Sequence, residues 1–95
     1  MQQIIGTISA EGAVTSGSNF SCSYDGSVYV IIFADNYFSA TPVIIATVDT
    51  SANNITYTAS VSVHNAGYTG FSLSVQNLNG ENYKGGINLF VSASI

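Results

Sequence analysis

The sequence predicts an all-β fold, a small antiparallel β-sandwich of about six to seven strands, and three observations lead there. Apolar and polar residues alternate with a period of two in several short stretches. Turn-forming residues separate these stretches at intervals of about 8 to 12 residues, the spacing of a sandwich or small barrel. No stretch has a helical period of comparable strength.

The pattern begins with Gln2-Gln3-Ile4-Ile5, and a glycine-rich opening strand runs into Asn19-Phe20. Phe20, Cys22 and Tyr24 then alternate with Ser21 and Ser23, and Asp25-Gly26 supplies the residue pair that a tight hairpin favours. Residues 28–33 (Val-Tyr-Val-Ile-Ile-Phe) form the next strand, ended by the turn residues Asp35-Asn36, and residues 43–48 (Val-Ile-Ile-Ala-Thr-Val) the one after. A polar loop follows over residues 49–54. Alternation is complete from 55 to 64, with Ile55, Tyr57, Ala59, Val61 and Val63 toward a core and Thr56, Thr58, Ser60, Ser62 and His64 on the other face. Asn65-Ala66-Gly67 makes a turn. Phe71, Leu73 and Val75 then alternate with Ser72, Ser74 and Gln76, and a second polar loop over 77–86 ends in Gly85-Gly86 before the last strand.

Ninety-five residues hold one core, so a single domain over 1–95 is expected, either complete or neatly excised from a longer protein. Two strands depart from simple alternation. Residues 28–33 and 43–48 are apolar on both faces, whereas an antiparallel sandwich normally turns one face of each sheet to water. No helix is available as a cover, so a second copy of the chain is the expected one; the alternative is a barrel in which loops close off the second faces.

Composition supports that expectation. Apolar residues make up 46% of the chain and charged residues 6%, against about 25% in a typical soluble domain. With a net charge of −4, one Lys (Lys84) and no Arg, nothing is available to neutralise a nucleic-acid backbone or an anionic bilayer. The longest apolar run, 28–34, is far short of the ~20 residues a membrane-spanning helix needs, and no signal peptide is visible. Cys22 is the only cysteine, which excludes an internal disulfide and marks it as a small core residue.

Catalytic chemistry finds little support. His64 is the only histidine and belongs to no nucleophile motif. Of the carboxylates Glu11, Asp25, Asp35, Asp49 and Glu81, three sit where turns favour Asp, and no acid-base dyad is suggested. Zinc would need about four nitrogen or sulfur ligands; Asp49 with Asn53 and Asn54 matches no calcium cage. No glycine-rich loop opens a helix, so no nucleotide, metal or other cofactor is expected. What remains is a surface of Ser, Thr, Asn, Gln and Tyr. It suits neutral hydroxylated ligands: an Asn or Asp beside an aromatic ring is a minimal sugar site, and multivalency raises its affinity. Tyr37, Tyr68 and Tyr83 lie at turns or loops and offer rings, or else pack at subunit contacts or strand ends.

The order Asn19-Phe20, Asp25-Gly26, Tyr29-Val-Ile-Ile-Phe33, Tyr37-Phe38, Thr41-Pro42-Val43-Ile44 and Thr69-Gly70-Phe71 resembles the H-type lectin domain and similar domains at the tips of phage tail fibres. The resemblance covers roughly 80 residues through short motifs. It implies a six-stranded antiparallel sandwich that assembles as a parallel homotrimer and binds sugars, often N-acetylgalactosamine, near subunit boundaries. Departures are specific: Ser62 stands where that family has a basic residue, and Leu78-Asn79 replaces an aromatic-His pair. A sugar at the equivalent place would then use Ser62, His64, Asn77, Asn79 and Tyr83. The function expected is a non-enzymatic, lectin-like recognition module for adhesion or host attachment, outside the cell or on a virion; the alternative is a structural fibre protein whose role is trimerisation.

Overall fold

Phe20, Cys22 and Tyr24 point inward while Ser21 and Ser23 point out, so this stretch can pair only as a strand with one face on a core. In the computed structural model, which describes residues 2–49, 59–77 and 85–93, it is the third of eight strands. These are β1 (Gln2–Ile8), β2 (Val14–Ser16), β3 (Phe20–Tyr24), β4 (Tyr29–Phe33), β5 (Val43–Asp49), β6 (Ala59–His64), β7 (Gly70–Asn77) and β8 (Gly86–Ala93). The strand beyond the expected seven is β2, whose three residues are too few to show a period. Predicted strand residues 55–58 and loop residues 50–54 and 78–84 lie outside the described residues.

The strands form two four-stranded antiparallel sheets, ordered β2-β1-β8-β5 and β3-β4-β7-β6. Ile4, Ile8, Ile87, Leu89 and Val91 from the first sheet meet Tyr29, Ile31, Phe33, Phe71, Leu73 and Val75 from the second, all buried. Burying each such side chain contributes about 1.5–3 kcal/mol relative to leaving it in water. Phe38 joins this core edge-on to Phe33, at 4.7 Å and 74°.

The expected hairpin at Asp25-Gly26 is present as a four-residue loop. Asp25 N–H donates to the Val28 carbonyl at 3.2 Å, and Oδ1 accepts from the N–H groups of Ser27 and Val28 at 2.9 Å. Those backbone donors, Val28 foremost, hold the carboxyl below its ordinary range. Gly26 takes a φ of +102°, which a side chain would resist. Asn36 and Asn65, at the other two predicted turns, also adopt positive φ.

Two expectations about the core need correction. Val63 is exposed: β6 is the edge strand of its sheet, with β7 as its one hydrogen-bonded neighbour among the described residues. Cys22 is half-buried and not fully enclosed, as β3 is the opposite edge. Burial nonetheless pushes its thiol up to about 11, so it stays protonated at neutral pH.

Tyr29 is fully buried except that its hydroxyl needs a partner, and it donates to the Ala10 carbonyl in the β1–β2 turn at 2.7 Å. Desolvation raises this phenol to about 12, so it remains a donor at every physiological pH. The bond pins the corner of one sheet to the start of a central strand of the other. Tyr29→Phe keeps the packing but strands that carbonyl, and is expected to lower stability by about 1 kcal/mol, read as a shift in the urea midpoint at unchanged slope.

Candidate functional site

Of the five residues expected at a sugar site, the structure brings two together. Ser62 and His64 lie on the outer face of β6, where they are paired with Ser74 and Ser72 of β7. His64 Nε2 is 2.8 Å from Ser74 Oγ. Asn77 stands at the other end of β7, opposite Ala59, five residues from the His64 register position, or about 17 Å along a strand. Asn79 and Tyr83 lie outside the described residues.

The His64–Ser74 contact has the distance of a nucleophile and its base, but its setting is that of a sheet. Ser74 is buried mid-strand, in the ladder that β7 forms with β6, where it faces Ser62. The Asp25 carboxylate is taken up by its own turn. The contact therefore reads as a cross-strand hydrogen bond that satisfies a buried hydroxyl. Among the described residues, no group of three or more His, Cys, Asp or Glu could hold a metal ion.

A second place has a more concave form. At the end of the sandwich where β4 runs out and the β6–β7 connection returns, Ile32, Phe33, Asp35, Asn36, Tyr68 and Thr69 line a cleft of about 270 Å³. Backbone bonds fix both walls. Ala34 N–H donates to Asn19 O at 2.8 Å and Tyr37 N–H to Ala34 O at 3.1 Å, closing the turn that carries Asp35 and Asn36. Gly67 N–H donates to Gly70 O at 3.0 Å, and Phe33 N–H donates to Thr69 O at 3.0 Å, tying one wall to the other. Tyr68 leaves 58% of its surface exposed. Unlike Asp25, Asp35 makes no side-chain hydrogen bond to a described residue, and neither does the Asn36 amide or the Tyr68 hydroxyl.

Tyr37 plays a different part. Its hydroxyl donates to Gln3 O at 2.8 Å and its ring stands edge-on to Phe38, so it is a strut between the connection after β4 and the first sheet.

The outer sheet faces answer the question of the doubly apolar strands. On the first sheet, Ile5, Phe90 and Ile45 form one row across β1, β8 and β5, flanked by Gln3-Ser92-Val43 on one side and Thr7-Asn88-Thr47 on the other. Ile5, Val43 and Ile45 are 68, 66 and 55% exposed, and none of these nine residues is charged. On the second sheet, Ile32 is 56% exposed beside Ser21. The barrel alternative fails: the sheets are separate, and no described loop covers these side chains.

Neither family models, curated proteins nor solved structures contain a match to this chain.

Proposed function

We propose that the chain is a non-enzymatic, lectin-like recognition module that works as a homotrimer and binds carbohydrate for adhesion or host attachment. The observation that carries this reading is the uncharged row Ile5-Phe90-Ile45, open to water across three adjacent strands. Water-exposed rows of this kind are stabilised by association, and identical faces that carry no charge can meet around a symmetry axis without like-charge repulsion. Covering the sheets leaves the polar loop ends free, and several copies of one shallow site multiply its affinity. The same order of motifs that resembles phage tail-fibre tips supports the setting outside a cell or on a virion surface.

A glycan array probed with the intact protein, alongside its mass by light scattering, tests both halves. The expected result is an assembly about three times the mass of the chain that retains neutral glycans. A blank array with an intact assembly favours the second reading, a fibre protein whose task is trimerisation. The separation of Asn77 from His64 at opposite ends of the β6–β7 ladder is the observation on that side.

A further inference from the structure

Resting on the reading of a sugar-binding module, we propose that the cleft of Asp35, Asn36 and Tyr68 is its subsite: it takes one neutral sugar ring and is complete within a single chain. The fold leaves three polar groups unused here. A carboxylate, an amide and a phenol with no bond to the described protein stand around one concavity, on two loops tethered to each other through Phe33 N–H and Thr69 O. A carboxylate accepts from two hydroxyls at once, which suits a vicinal diol, and an amide both donates and accepts. The exposed Tyr68 ring and Ile32 supply the apolar surface on which the C–H face of a sugar rests.

Size and charge narrow the ligand. A volume of about 270 Å³ falls at the small end of ligand cavities, and so admits a terminal ring and not a chain of them. The chain has one Lys and no Arg, and the cleft presents an Asp, so sialylated or sulfated glycans meet repulsion with no compensating cation in the cleft lining. Preorganisation favours binding as well. The Asn36 backbone already holds φ +61°, and its turn is closed by the Tyr37 to Ala34 bond, so little order has to be imposed on binding.

The test uses the whole chain in its native assembly. Polymer-displayed methyl glycosides of galactose, glucose, mannose, N-acetylgalactosamine and N-acetylglucosamine are the neutral probes, with sialyllactose as the acidic one. Tyr68→Ala, Asn36→Gly and Asp35→Asn are compared with the parent; glycine preserves the positive φ at position 36. Expected are retention of at least one neutral probe by the parent, a loss of about tenfold or more in each variant, and an unchanged mass. Full retention by all three variants overturns the cleft as the site while leaving the recognition role standing. Preference for sialyllactose overturns the neutral ligand class. A change of mass in Tyr68→Ala makes the cleft a subunit contact and overturns the proposal. If the parent retains no probe, the recognition role itself fails and this inference with it.

Discussion

The double variant Ile5→Lys/Ile45→Lys is expected to run as a 9.9 kDa particle where the parent runs as an oligomer. Both side chains stand more than half exposed on either side of Phe90, so neither substitution disturbs the interior. The new ammonium groups would be carried into any contact that uses this face, in every copy, with no carboxylate among the nine residues of the face to pair with them. An uncompensated charge taken from water costs several kcal/mol, enough to reverse an association of ordinary strength. Lysine suits a strand next to solvent better than aspartate and is a common guard of exposed β surface. Light scattering reads the result, with Glu11→Lys in the β1–β2 turn as the matched charge change expected to leave the mass alone. An unchanged mass in the double variant would mean that another surface holds the copies together. A monomeric parent would remove the premise altogether.

Much of the fold was legible because period-two alternation reports directly on which residues share a face. Phe20-Cys22-Tyr24 and Phe71-Leu73-Val75 point inward as their spacing requires. The doubly apolar strands were legible too, and they mark the exposed rows on the outer faces. Position within a sheet was not. Nothing in the residues of β6 says that it is an edge strand, which is why alternation places Val63 inside while it lies exposed.

The candidate site was harder to read. Asp35-Asn36 reads as a turn and Tyr68 as a ring near one, but 32 positions separate Asn36 from Tyr68, and only the pairing of β4 with β7 brings their loops together. The signal in the sequence is that Asp35, like Asp25, occupies a turn. The distinction that matters, a carboxylate spent on its own backbone against one left open, belongs to three-dimensional geometry. Conversely, Ser62 and His64 stay together on β6, while register sets Asn77 about 17 Å from His64 along the β6–β7 ladder.

Gly70 gives the sharpest test of that β4–β7 pairing. It faces Ile32 at the start of β7, and a Cβ placed on it would collide with the Ile31 carbonyl oxygen, with the Ile31 carbonyl carbon and the Ile32 Cα each only 3.3 Å away. These are backbone atoms of a central strand, so they cannot swing aside as the end of a side chain would; either the ladder opens or β7 shifts outward. Gly70→Ala is therefore expected to cost about 3 kcal/mol, toward the upper end of what overpacking does, out of a total stability of roughly 5–15 kcal/mol. The urea midpoint measures it. Gly67→Ala is the comparator, since the nearest atom to its added Cβ is 4.0 Å away and its φ is not positive, and it is expected to leave the midpoint unchanged or raise it slightly. The strain at position 70 should also reach the cleft, because the bonds from Gly67 N–H to Gly70 O and from Phe33 N–H to Thr69 O both flank the clash. Equal midpoints for the two alanine variants would show that β7 does not approach β4 this closely, and the wall that carries Tyr68 would lose its anchor.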